Sequence, residues 1–183
     1  MKLRFAALAL LASSSIALAD NHGNPMVGGA EMFADKTIVE NAVNSADHTT
    51  LVAAVQAAGL VETLNGAGPF TVFAPTNDAF AKLPAGTVEG LLKPESKDQL
   101  TKILTCHVVG AQALAADVAK MITDGSGKAT IDTVGGCKLE ASLDGDMVKI
   151  KDEAGGTATV TIADVMQKNG VIHVIDAVLL PAS

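Results

Sequence analysis

Few residues in this chain of 183 have the types and spacing that chemistry needs. Cys106-His107 is the first candidate, because a thiol and an imidazole that share a proton make a nucleophile. Neighbouring residues on an extended chain point to opposite faces, so this pair cannot exchange one. Gly125-Ser126-Gly127 lacks the G-x-S-x-G frame of a nucleophile turn and reads as a hairpin entry. Asp144-Gly145-Asp146 has its glycine in the wrong place for a calcium loop, and no bidentate Glu follows at the required offset. Neither a phosphate-cradling glycine loop nor H-E-x-x-H occurs. His107 and His173 lie in apolar runs, where a hydrogen-bonded core histidine is the expected state. No catalytic constellation assembles, so neither an enzyme nor a cofactor is expected.

The elements that must carry these residues divide into a helical half and a strand half. Ile38, Val39, Ala42 and Val43 share one helical face, and residues 50–58 form a second helix stopped by Gly59. Asp47 or Thr49 is placed to cap that helix. After the turn Gly66-Ala67-Gly68-Pro69 comes a short strand, Phe70-Thr71-Val72-Phe73. Thr76-Asn77-Asp78 then makes an N-cap cluster for a helix reaching residue 83. Helices are expected again over residues 97–105 and 111–122. Beyond Gly127 the period changes to two, in runs over 129–134, 137–143, 147–151 and 157–162. Gly135-Gly136, Asp144-Gly145 and Gly155-Gly156 sit at the hairpin turns. The nearly all-apolar run 170–180 reads as a central strand. Helices first and antiparallel strands after give an α+β arrangement.

Composition narrows the function. Hydrophobic residues are 49% and charged residues 18%, enough for a packed core. Aromatic residues are 3%, with no Trp and no Tyr, which leaves little to stack on bases or sugars. The formal charge of −7 opposes the basic footprint that nucleic acid demands. Nucleic acid is excluded as a partner.

Residues 1–19 read as a signal peptide. Lys2 and Arg4 precede an apolar stretch, residues 5–12, too short to span a bilayer, and Ala17-Leu18-Ala19 offers a small-x-small cleavage site. Residues 20–34 read as a flexible arm and 35–183 as the folded domain. No integral membrane segment is expected after cleavage, and the product is expected to be secreted or periplasmic. Cleavage after Ala19 would expose Asp20-Asn21-His22. The α-amine, two deprotonated amides and a His22 nitrogen then make the square plane that Cu(II) or Ni(II) prefers. In an oxidising compartment an even pair of cysteines is more often a disulfide than a metal site or a nucleophile.

Three ordered motifs carry a resemblance. Phe70-Thr71-Val72-Phe73-Ala74-Pro75-Thr76-Asn77-Asp78-Ala79-Phe80 resembles the first signature segment of the fasciclin (FAS1) domain. Asn169-Gly170-Val171-Ile172-His173-Val174-Ile175-Asp176, with Leu179-Leu180-Pro181, resembles the second. Leu104-Thr105-Cys106-His107-Val108-Val109 stands where the family has its Tyr-His element, with Cys106 in place of the Tyr. The similarity runs from about Thr37 to Ala182.

The resemblance implies a helical layer packed on a wedge of mostly antiparallel β-strands. It implies a non-enzymatic adhesion or protein-interaction module, acting at a cell envelope or in an extracellular matrix. A protein or a cell-surface or matrix component would be the partner, and a monomer is expected. Candidate contacts are His107 and the pair Asp164-Val165, which stands where integrin-binding relatives carry Asp-Ile. A cap at Asp164 and a core place for Val165 is the competing reading. Thr76, Asn77, Asp78 and His173 are expected to build structure rather than touch a partner. The departure at Cys106, taken with Cys137 beside Gly135-Gly136, points to a Cys106–Cys137 disulfide. A periplasmic carrier of a small apolar ligand or a metal ion is the alternative function, and an apolar cavity of roughly 300 Å3 or more would mark it.

Overall fold

The computed structural model describes residues 24–182. The leader expected over 1–19 and the His22 metal motif lie outside them. Residues 24–34, expected in a loose arm, instead form a hairpin of β1 (Met26–Val27) and β2 (Ala30–Glu31). Val27 and Met32 are 3% and 2% exposed. Burying two large apolar side chains fixes a segment that its Gly, Asn and Pro content alone would leave loose.

The helical half follows. In α1 (Ile38–Ala42), Thr37 and Glu40 cap each other in a capping box. Next come α2 (Thr49–Ala58), which ends at Gly59 in the left-handed region, and α3 (Val61–Leu64). After β3 (Phe70–Pro75) come α4 (Asn77–Ala81), α5 (Thr87–Leu91) and α6 (Lys97–Thr105). A two-residue strand, β4 (Val108–Val109), leads to α7 (Ala115–Asp124), which starts four residues later than its Ala-rich composition suggests. The strand half is β5 (Lys128–Asp132), β6 (Lys138–Asp144), β7 (Met147–Lys151), β8 (Thr157–Gln167) and β9 (Gly170–Ile175).

One seven-stranded sheet runs β4-β3-β9-β8-β7-β6-β5. All neighbours are antiparallel except β3 and β9, which pair in parallel from Phe70↔Gly170 to Pro75↔Ile175. Side chains alternate across a strand, so each central strand serves two cores. Val72 and Ala74 of β3 and Val174 of β9 face a core with Leu51, Phe80 and Ile103 of the helical layer. Phe73 and Ile175 face the other, closed by Val118 and Ile122 of α7. That double burial explains why β9 reads as an unbroken apolar run.

Strand β8 passes between the two cores. Ala158 and Val160 belong to the core under α7, whereas Val165 belongs to the helical core. Its register against β9 slips twice, between Val160 and Ile162 and between Ile162 and Val165. Extra residues in a strand bend it and turn its side chains. The bulge is what lets β8 change faces.

Candidate functional site

Asp164 sits in that bulge, exposed, with φ 56°. It belongs to a strand rather than a helical turn, and the left-handed region is one that Asp tolerates better than most residues. Its backbone N–H donates to His173 Nδ1 at 3.2 Å, and its Oδ1 accepts from Ala115 N–H, the first residue of α7, at 2.7 Å. Asp164 is thus a cap delivered from another part of the chain, onto one of the orphan donors of a helix start. The Leu114 N–H, one residue earlier, donates to Asp117 within α7 itself.

His173 supports the bulge from beneath. Since Nδ1 accepts from Asp164, Nε2 carries the proton, and it donates to Ala113 O at 2.8 Å. The ring stacks on Phe73 at 5.7 Å between centroids. Thr71 Oγ1 grips the same loop, donating to Ala111 O at 2.6 Å and accepting from Ala113 N–H at 2.8 Å. One side chain each from β3, β8 and β9 therefore fastens residues 111–115 and aims the Asp164 carboxylate outward beside the start of α7.

The other candidate residues lie elsewhere. Val165 has no exposed surface and packs in the helical core, so the proposed pair presents Asp164 alone. His107 is 2% exposed and serves as a bridge. Its Nε2 accepts from Leu179 N–H at 2.9 Å, so Nδ1 must hold the proton that it donates to Ile103 O at 2.8 Å. Burial pushes its pKa down from 6.5 to about 4. A partner approaching from solvent meets neither ring nitrogen. Cys106 and Cys137 are joined in a disulfide, with Cα atoms 5.4 Å apart.

The cap cluster divides its work. Thr76 Oγ1 accepts from Ala79 N–H and caps α4 as expected. Asn77 turns instead to α2, where its Oδ1 accepts from Thr50 N–H at 3.0 Å and its Nδ2 donates to Ala46 O at 2.8 Å. Neither Asp47 nor Thr49 supplies that cap. Asp78 lies exposed in the first turn of α4, where its charge favours the helix dipole.

Sequence reading passed over a buried amide network. Asn169 Oδ1 accepts from Ile38 N–H at 3.1 Å, while its Nδ2 donates to Leu64 O and Gly66 O. Asn41 exchanges two hydrogen bonds with the Phe33 backbone and donates to Gln167 Oε1. Asn41 is buried on the otherwise apolar inner face of α1, and a polar residue on such a face is the signal that marks it. Ser45 Oγ and His48 Nδ1, 2.9 Å apart, were equally unmarked. Both residues are buried, at 2% and 3% exposure.

An apolar crevice opens between α1, α2 and α3, with Val39, Val52 and Leu60 at its mouth and Val72 and Leu104 deeper in. Its volume is about 40 Å3, far short of the roughly 300 Å3 of sites for drug-sized ligands. No helix among the described residues is long and apolar enough to cross a membrane. Nor do three His, Cys, Asp or Glu side chains gather there to hold a metal.

Comparison with known proteins matches this architecture. Protein sll1483 of Synechocystis sp. is 54% identical over 149 residues, covering 79% of this chain and 73% of its own. The transforming growth factor-beta-induced protein ig-h3 of Sus scrofa is 39% identical over 131 residues, which are 72% of this chain and 17% of that protein. Among solved structures, a FAS1 domain pair from the insect cell adhesion molecule fasciclin I superposes with a TM-score of 0.69. At 20% identity, over 79% of this chain and 51% of that one, it shows the shared fold. The fasciclin domain model matches residues 46–181, from the turn before α2 to the end of the C-terminal segment, and the chain belongs to the fasciclin domain family.

Proposed function

We propose that this protein is an exported, non-catalytic interaction module of the adhesion type, acting at the cell envelope or in an extracellular matrix. The observation that carries the reading is the Asp164 bulge. An exposed carboxylate stands on a bulge whose backbone donates to His173, and only one of its oxygens is used, in capping the Ala115 N–H. Preorganised polar groups of this kind lose little entropy when a partner binds. The shared fold with a FAS1 domain pair from an insect cell adhesion molecule supports the same reading. Catalysis has no comparable support, since both nitrogens of His107 and of His173 are engaged with backbone.

Attachment tests it. Asp164→Asn keeps the cap acceptor and tolerates the left-handed backbone, but removes the charge. Surfaces coated with the mature chain should retain envelope vesicles or cells of the source organism above an albumin control. The Asn variant should lose that retention with its melting temperature unchanged. Asp164→Ala should lose retention and about 1 kcal/mol of stability as well, because the cap goes too. Equal retention by wild type and the Asn variant would remove Asp164 as the contact. Recovery of the protein only from the cytoplasmic fraction, with residues 1–19 intact, would remove export.

A further inference from the structure

His173 holds the Asp164 bulge through a bond whose direction fixes the state of the ring. The Asp164 backbone N–H can only donate, so Nδ1 must present a lone pair. The single ring proton then sits on Nε2 and faces Ala113 O. Both nitrogens are engaged, and the residue is 2% exposed. This arrangement has no place for a second ring proton. One added at Nδ1 would set two donors against each other, and a buried donor without an acceptor is costly.

The surroundings decide how that conflict resolves. Neither β3 nor residues 110–114 carry a charge, and Asp164 is the one charged residue of β8. From β7 only Val148 reaches the space beside the ring, since Lys149 and Lys151 alternate to the opposite face. On α7, Asp117 accepts from Leu114 N–H, next to the Ala115 N–H that Asp164 caps, while Lys120 lies exposed farther along. The charges on this side of the ring are therefore two carboxylates.

Water is a poor alternative partner. The space beside the ring is about 10 Å3, walled by Phe73, Ala115, Val118, Val148 and Val160, and a buried water needs two to four polar partners. The acceptor at hand is the carboxylate of Asp164 itself. To reach Nδ1 it must leave Ala115 N–H. Its backbone stands at φ 56°, in the left-handed region that disfavours residues with a Cβ. The bond to Nδ1 is part of what holds it there, so losing that acceptor frees the bulge to relax.

We propose that His173 and Asp164 form a proton-operated latch. With the ring neutral, the bulge is held and Asp164 faces solvent from the start of α7. With the ring charged, the carboxylate turns inward onto Nδ1–H, the Ala115 N–H loses its cap, and the anion leaves the surface. The consequence for attachment rests on the Asp164 contact proposed above, whereas the latch itself does not.

The full chain, 15N-labelled in backbone and histidine rings, is titrated from pH 8 to 4.5 by NMR. The Asp164 and Ala115 amides should move together, with the midpoint of the His173 ring nitrogens. In Asp164→Asn, which has no carboxylate to titrate, the amide of residue 164 should still follow the His173 midpoint. His173→Gln should leave both amides flat across the range; should that variant fail to fold, the wild type and the Asn variant decide. Amides that stay in place while His173 gains its proton, or that follow His107 instead, would overturn the latch. So would a His173 ring that stays neutral until the chain unfolds. Retention of envelope vesicles that falls through the same midpoint ties the latch to attachment. A moving latch with pH-independent retention leaves the latch standing and removes Asp164 as the contact.

Discussion

His107 shows how one buried side chain makes stability depend on pH. Its ring accepts from Leu179 N–H, so protonation must break the bond that holds the C-terminal segment. The folded pKa of about 4 lies below the ordinary 6.5, so in this range the unfolded chain binds the proton more readily. The stabilisation is complete above pH 6.5 and is lost as pH falls from there toward 4, amounting to about 3 kcal/mol. His48, also lowered chiefly by burial, acts in the same direction. Urea denaturation between pH 7 and 4 should show the slope. His107→Leu should be less stable at pH 7 and should have a flatter profile; an unchanged slope would mean that another group carries the effect. The adjacency of Cys106 and His107 suggested a reactive pair, while the structure gives them separate tasks, one a covalent bridge and the other a hydrogen-bonded one.

At the scale of elements, the disulfide ties the end of α6 to the turn between β5 and β6. Gly135 makes the approach possible, since a Cβ there would lie 2.6 Å from Thr105 Oγ1 and 2.8 Å from Cys106 N. Reduction, or Cys106→Ala with Cys137→Ala, should lower stability by roughly 3–4 kcal/mol for a loop of 31 residues. Calorimetry with and without reductant measures the loss, and an unchanged melting temperature would show that the core alone holds this corner. The same region shows what the residue pattern reveals. Period-two runs and Gly-Gly or Asp-Gly turns mark β5 to β7 nearly to their ends, and the start of β8, because hairpin pairing is local. The continuation of β8 past Ile162 was hidden, since a bulge breaks the alternation by which strands are read. Likewise Asn77 looks like a cap for the helix it begins. Its true partner, Thr50, is 27 residues away, and no local spacing encodes that.

For the whole molecule, the two signature segments lie side by side as the parallel pair β3 and β9, about a hundred residues apart in sequence. The sequence marked one as a short strand and the other as a central strand, and neither its hydrophobic pattern nor the family resemblance paired them. The segment after β9 is held by three acceptors in a row: His107 takes Leu179 N–H, Asp152 takes Leu180 N–H and Glu153 takes Ala182 N–H. That clasp has a mechanical consequence. Tension applied to the chain beyond Leu180 must first break those three bonds and then draw β9 along its own axis. Every rung joining β9 to β3 and β8 is then loaded in shear at the same moment. Tension at the other end meets only the two-residue strands β1 and β2, whose rungs open one after the other like a zipper. Stretched between Asn24 and Ala182 in a single-molecule experiment, the domain should yield a small early extension from the hairpin and then one dominant rupture as β9 slides. A pull-resistant strand at the centre and a compliant hairpin at the edge would let a tethered molecule lengthen slightly under load before its sheet gives way.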